Sequence, residues 1–362
     1  MSERNDREDS PGSKNVYCYQ PLNEAEKQIR IFRLAPGKAG EPVRGTLSIT
    51  SINRFQRSKG PIYHDCYVKR EPSSDINWNA LSYVWGSFAR NKILIISSKT
   101  LAITQSLCVT LQYLRDPDKG RFLWIDQICI NQEDENERAY QVQLMQEIYR
   151  RATDVIAWLG PGTTAVRDMF CAIASIELIS RGPNTIEYIV KMQLSTNSEK
   201  QNLLQVVLHL DDIDFNPKQA LRKLCKGQDE MMGNAWFNRL WTLQEAVLNY
   251  TLHFQAGRQM VLWEDVFLVF SLLINFRSAH GIPNTDEPYE KLMTIKIYRQ
   301  HHAGIVDESL YSLTRYSIDS VREASDLRDY VYGQLGIWNP RATDFVKPGY
   351  SASVETFSWM PQ

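Results

Sequence analysis

FLWIDQICINQEDENERAYQVQLMQEIYRRATDVIAWLG, residues 122–160, decides the fold. The apolar run at 121–130 reads as a buried strand. A polar corner follows, carrying Asp126, Asn131 and Gln132. Asp134 with Glu137 three residues on has the spacing of a capping box at a helix start. Val142, Met145, Ile148, Tyr149 and Ala152 then recur at helical spacing. Residues 154–159 read as a further buried strand, closed by Gly160-Pro161-Gly162. Strand, helix and strand with short connections predict parallel pairing and right-handed crossovers. Active sites of open α/β folds lie beyond the carboxyl ends of such strands.

Working outward, residues 79–86 (NALSYVWG) read as a strand ending at Gly86. Residues 92–104 have the alternation of a hairpin, and 105–115 of a helix with Leu107, Leu111 and Leu114 on one face. Apolar alternation and turn signals within 28–52 predict short strands. Residues 163–235 are mostly helical but weakly patterned, with surface loops expected at 195–198 and 211–214; the block reads as a helical insertion. Strong helical spacing returns at 237–249, two short strands are expected around Gly257-Arg258, and 263–335 is mainly helical. The expected organisation is a disordered stretch at 1–15, an α/β domain over 16–250 that includes the insertion, and a helical extension over 251–362.

Composition restricts the function classes. The 362 residues are 43% hydrophobic and 11% aromatic, so a substantial core can form. A net charge of −1 argues against nucleic acid as a partner. Six cysteines, at 18, 66, 108, 129, 171 and 225, form no CxxC pair, which fits a reducing compartment. The six histidines have no metal-ligand spacing, so no metal is expected. No GxGxxG follows a strand and no GxxxxGK[ST] occurs, so neither phosphate cradle is supported. The polar N-terminus lacks a signal peptide's apolar run, and the longest apolar run, 266–276, is too short to span a bilayer and reads as a buried helix. A soluble, cytoplasmic protein is expected.

Each candidate residue has a chemical and a structural alternative. Asp126 can orient a substrate hydroxyl or cap the next turn. Asn131 and Gln132 can bind a ligand's polar edges or satisfy their own loop. Glu137 is expected to close the capping box, with Arg138 solvated beside it. Cys129 is a nucleophile only with a base nearby, and otherwise a buried thiol. Ser82, Tyr83, Trp85 and Gly86 end a strand; Tyr83 and Trp85 would share one face, as a stacking platform or as core. Trp241 and Glu245 share a helix face. Glu245 would be a partly desolvated carboxylate beside an aromatic, or a solvated charge pairing with Arg239.

These residues lie in motifs that resemble the fungal heterokaryon-incompatibility (HET) domain: ALSYVWG (80–86), LWIDQICINQ (123–132), ER (137–138), QVQLMQEIYRRATDVIAWLG (141–160), FNRLWTLQEAVL (237–248) and LRDYVYGQLGI (327–337), in that order. The resemblance implies a protein of non-self recognition whose activation leads to growth arrest or programmed cell death. The HET domain in turn resembles a divergent Toll/interleukin-receptor (TIR) domain, which implies a flavodoxin-like parallel sheet flanked by helices. Trp241-Thr-Leu-Gln-Glu245 is similar to the TIR pattern Trp-Cys-x-x-Glu, whose Glu is catalytic in NAD-cleaving members; here Thr242 replaces the Cys.

The resemblance implies an NAD+ glycohydrolase with Glu245 as the catalytic carboxylate. Ser82, Tyr83, Trp85, Gly86, Asp126, Asn131, Gln132, Arg239 and Trp241 would line its substrate site. NAD+ would be substrate and no cofactor would be needed. Nicotinamide leaves from a pyridinium without protonation, so one carboxylate can serve where glycosidases need two. Activation would require self-association or a partner protein. The alternative is a module that assembles and signals death without chemistry. The abrupt end at Trp359-Met-Pro-Gln is expected of a short member or of a piece of a longer protein.

Overall fold

A computed structural model describes residues 15–55, 77–180, 217–279, 286–305, 307–319, 322–324 and 327–338. The expected disordered stretch at 1–15, apart from Asn15, and the expected loops at 195–198 and 211–214 lie outside the described residues. The chain divides into two compact units: residues 1–54 with 85–141, and residues 55–84 with 142–362.

The first unit contains strands β1 (Gln28–Leu34), β2 (Arg44–Ser51), β4 (Lys92–Ile96), β5 (Lys99–Ile103) and β6 (Arg121–Trp124). β2 and β6 both pair antiparallel with β1, so Phe32 sits opposite Leu47 on one side and Leu123 on the other. A central strand must be buried on both faces, and β1 is: Ile29, Arg30, Ile31 and Phe32 are all buried. β4 pairs parallel with β2 and antiparallel with β5. The predicted hairpin at 92–104 is β4–β5, its turn made possible by Ser97 in the left-handed region at φ 53°. Helix α1 (Gln105–Leu114) starts where Thr104 Oγ1 accepts from Leu107 N, and buries Leu107, Leu111 and Leu114 as the spacing required.

The second unit contains β3 (Asn79–Tyr83), β7 (Asp154–Trp158), β8 (Leu252–Ala256) and β9 (Gln259–Leu262). β7 pairs parallel with β3 and with β8, and β9 returns antiparallel on β8. Val155, Ile156, Ala157 and Trp158 are buried, the continuous apolar run of a strand covered on both faces. The described helices here are α4 (Thr164–Ser180), α5 (Pro217–Met232), α6 (Leu240–Val247), α7 (Trp263–Ala279), α8 (Asp286–His302), α9 (Leu310–Asp319) and α10 (Asp329–Trp338). The apolar run 266–276 lies in α7, with Val266, Val269, Phe270 and Leu273 buried. No helix among the described residues is long and apolar enough to cross a membrane.

The architecture is α/β, but strand directions are mixed. Parallel ladders join β3 to β7, β7 to β8 and β2 to β4, and the rest given above are antiparallel. The flavodoxin-like parallel sheet implied by the resemblance is corrected to this mixed pattern, to which the hairpin expected at 92–104 contributes one antiparallel pair. A two-residue link such as Ser97-Ser98 can join only antiparallel neighbours.

The second unit's core is aromatic. Trp236 lies 5.0 Å from Phe237 and 5.5 Å from Phe254, edge to face in both pairs. Its indole N–H donates to Ser82 Oγ at 2.7 Å. Asn249, 1% exposed, donates from Nδ2 to Tyr149 O and Ala152 O at 2.8 Å each. It thereby satisfies carbonyls at the end of helix α3 (Glu135–Arg151), which the helix itself leaves open.

Candidate functional site

The candidate residues fall into two sets, one in each unit. In the first, the strand expected over 121–130 stops at Trp124, and Asp126–Cys129 is a single helical turn, α2. Asp126 therefore begins a turn rather than ending a strand. Its Oδ1 accepts from Gln127 N at 2.7 Å and its Oδ2 from Trp85 Nε1 at 2.8 Å. Gln132 Nε2 donates to Asp126 O at 2.8 Å. Asn131 Oδ1 accepts from Glu133 N at 3.3 Å. Asn131 and Gln132 thus hold the corner's own backbone, and Asp126 holds both that backbone and the Trp85 indole.

β3 ends at Tyr83, so Trp85 does not extend a shared strand face with Tyr83. Trp85 is half-buried and meets the exposed ring of Phe88 at 5.9 Å. Gly86 between them is exposed with φ +67°, a conformation that glycine adopts without penalty.

Glu137 corrects the capping-box expectation. Asp134 Oδ1 does accept from Asn136 N and Glu137 N, at 3.0 and 3.1 Å. The Glu137 carboxylate instead faces Arg30, at 2.6 Å from Oε1 and 2.9 Å from Oε2, and Oε1 also accepts from Asn131 N at 2.7 Å. Arg30 is 1% exposed, donates further to Cys129 O at 3.0 Å and Gln20 O at 2.5 Å, and stacks over the Tyr19 ring. A fully buried guanidinium holds its place only with this many acceptors. Arg30 was missed by sequence reasoning, because its partner lies 107 positions away. Its one signal is a charge between Ile29 and Ile31 within the strand. Cys129 is fully buried, and desolvation pushes its thiol up to about 12, which makes it the structural thiol and not a nucleophile.

In the second unit, Ser82 is fully buried with its hydroxyl on Trp236, and Tyr83 is 4% exposed at the end of β3. Helix α6 starts after Arg239, whose Nη1 donates to Tyr83 O at 3.3 Å. Thr242 Oγ1 lies 2.7 Å from both Arg239 O and Trp236 O, and its side chain is buried. Trp241 is half-buried, and its indole N–H donates to Asp329 Oδ2 at 3.2 Å. Glu245 is 8% exposed, on the same helix as the buried Leu240, Leu243 and Val247. The solvated alternative for Glu245 is thereby overturned. Arg299 closes the far end of α6, donating to Ala246 O at 2.7 Å and Asn249 O at 3.0 Å. Ser82, Tyr83, Arg239, Trp241 and Glu245 thus occur together in this unit, with α6 held at both ends.

Chemically, the second set offers a buried carboxylate on a short, anchored helix, and the first set an aromatic pair beside open backbone. Among the described residues, no group of three or more His, Cys, Asp or Glu side chains could hold a metal ion.

Residues 78–245 match the family model described as heterokaryon incompatibility protein (HET), and the match ends on Glu245. Heterokaryon incompatibility protein 6, OR allele, of Neurospora crassa is 30% identical over 326 residues, an alignment that takes in 80% of this chain and 47% of that protein. The chain therefore spans about half the length of that relative. No solved structure matches the chain. The motif order, the α/β architecture and this match agree, and the chain belongs to the heterokaryon-incompatibility (HET) domain family, with its HET domain at residues 78–245.

Proposed function

We propose that this chain is an effector of heterokaryon incompatibility and regulated cell death that hydrolyses NAD+ to nicotinamide and ADP-ribose. Glu245 is the catalytic carboxylate. The observation that carries the proposal is a carboxylate only 8% exposed, on an anchored helix, at the end of a sequence similar to the TIR pattern. A carboxylate enclosed on such a helix is a candidate for a chemical role. The parallel set β3–β7–β8 is compatible with the TIR-like reading.

In the reaction, the bond between ribose C1′ and the pyridinium nitrogen breaks and its electron pair goes to the ring. The leaving nicotinamide is neutral without a proton. Glu245 stabilises the oxocarbenium charge that develops on the ribose, and water adds at C1′ and releases a proton. Within the same unit, Tyr83, Arg239 and Trp241 are the substrate-contacting candidates, and Ser82 supports them through Trp236.

A second reading is a self-associating module without chemistry. It is favoured by one observation: Asp126, Asn131 and Gln132 each make a hydrogen bond that holds their own corner. The experiment that separates the two is incubation of the protein, dilute and then clustered on a scaffold, with NAD+ while nicotinamide is followed by chromatography. Release in the clustered sample supports the enzyme. No release in any assembled state eliminates it and leaves the module.

A further inference from the structure

The short segment Arg322–Glu323 runs beside the start of α6. Glu323 N donates to Asn238 O at 2.5 Å, and Leu240 N donates to Glu323 O at 3.0 Å. This bridge sets the Arg322 guanidinium against the residue that precedes the helix: Nη1 donates to Arg239 O at 3.2 Å. Arg322 is 1% exposed, and its Nε and Nη2 have no partner among the described residues. Nε and Nη2 form one edge of the guanidinium, a two-donor fork whose spacing matches two oxygens of a carboxylate or phosphate.

Positive groups lie near the fork, and the acidic side chain next in sequence, Glu323, is exposed. The first turn of a helix exposes N–H groups carrying partial positive charge, and Arg239 contributes no side-chain acceptor to them. Lys291, 4% exposed, donates its Nζ to Asn238 Oδ1 at 2.8 Å, one residue away. Burial pulls the Arg322 guanidinium down to about 10, so it is still charged at neutral pH. A buried cation with an empty fork beside a positive helix end is unfavourable unless an anion joins it. The fork is enclosed, but Asn238, Arg239 and Trp241 near it are half-buried and Glu323 is exposed, so a ligand reaches it by displacing these side chains.

We propose that the start of α6 is an anion subsite, in which the Nε–Nη2 edge of Arg322 binds the pyrophosphate of a dinucleotide. The proposal rests on the nucleotide reading above and names the part of the ligand taken here, by a residue outside the HET match at 78–245. A carboxylate would fill the fork equally well geometrically. The additional charge of a pyrophosphate suits the Lys291 and helix-end contributions better.

The test is calorimetry of the full chain with inorganic pyrophosphate, ADP-ribose and acetate, for wild type, Arg322→Lys and Arg322→Gln. Wild type binds pyrophosphate and ADP-ribose but not acetate, and Arg322→Lys, which keeps the charge and loses the fork, weakens both by about 10- to 100-fold. Should Arg322→Gln fail to fold, the Arg322 Nε–H signal of 15N-arginine-labelled wild type supplies the second readout, and it shifts on addition of pyrophosphate. An unmoved signal, equal affinity in wild type and Arg322→Lys, or binding of pyrophosphate but not ADP-ribose overturns the proposal. Its failure is separable from that of the enzyme reading. NAD+ cleavage with a KM unchanged in Arg322→Lys removes the subsite and keeps the enzyme. Arg322-dependent binding without cleavage does the reverse.

Discussion

Replacing Glu137 by Gln leaves the side chain its shape and one acceptor but removes the charge facing Arg30. Arg30 is 1% exposed and Glu137 9%, so water can do little to replace that charge. Removing one member of a buried pair costs about 3–5 kcal/mol, and the retained amide oxygen places Glu137→Gln near the lower end, about 3 kcal/mol. That corresponds to roughly 100-fold in a local opening equilibrium. The natural reporter is the Asn131 amide, which donates to Glu137 Oε1 at 2.7 Å. Its hydrogen exchange, read by NMR, should accelerate roughly 100-fold in Glu137→Gln, with the 125–132 corner opening alongside it. Combining Arg30→Met with Glu137→Leu removes both charges, and part of the protection should return because no charge is stranded. Unchanged Asn131 exchange in Glu137→Gln, or single effects that simply add in the double variant, would refute the buried-clamp reasoning.

Gly227→Ala should destabilise by about 1–3 kcal/mol, although Gly→Ala inside a helix ordinarily stabilises by up to about 1 kcal/mol. A Cβ at Gly227 would come within 2.6 Å of Ala165 O and 2.8 Å of Met169 Cβ, where α5 meets α4, and a rise in the urea midpoint would contradict this. His302 is held near 4 by burial first, then by Arg150, Arg299 and His301. The unfolded imidazole, near 6.5, therefore binds its proton before the folded one does, and stability is complete above pH 6.5 and declines as pH falls toward 4, by up to about 3 kcal/mol. Urea midpoints across that window should slope less in His302→Gln, and an identical slope would clear His302 of the effect. Cys129 in the folded protein should resist iodoacetamide while the exposed Cys18 and Cys171 react, as read by peptide mass spectrometry; equal labelling of all three would contradict the buried-thiol assignment.

Periodicity made much of the fold legible. The β4–β5 hairpin, α1 with its leucine stripe, β7 and the pair β8–β9 follow from local spacing, because each is one element whose burial pattern is written in consecutive residues. The pairing of β1 with β6 and of β2 with β4 was not legible, since it depends on which distant segments meet. Nor was the corner at Asp126. An apolar run through Ile130 looks like a strand whether or not Ile125 begins a helical turn, and that turn is held by Trp85, 41 positions away. The same limit hid Arg30 from Glu137, and Arg322 and Arg299 from α6. At Glu245 the spacing placed the residue beside Trp241 on a helix but could not decide between solvent and interior. Enclosure of the helix by the elements around it made that decision.

The central claim is that Glu245 carries chemistry, and the most direct test is the initial rate of nicotinamide release from NAD+ by clustered protein. Wild type, Glu245→Gln and Glu245→Ala are compared at equal folded concentration, checked by circular dichroism. A carboxylate that stabilises transition-state charge in a buried site supplies about 100- to 1,000-fold, so both variants should fall by at least that much. Glu245→Gln is the decisive member, because it keeps the side chain's volume and loses only the charge. Nicotinamide release by Glu245→Gln at the wild-type rate would contradict the account.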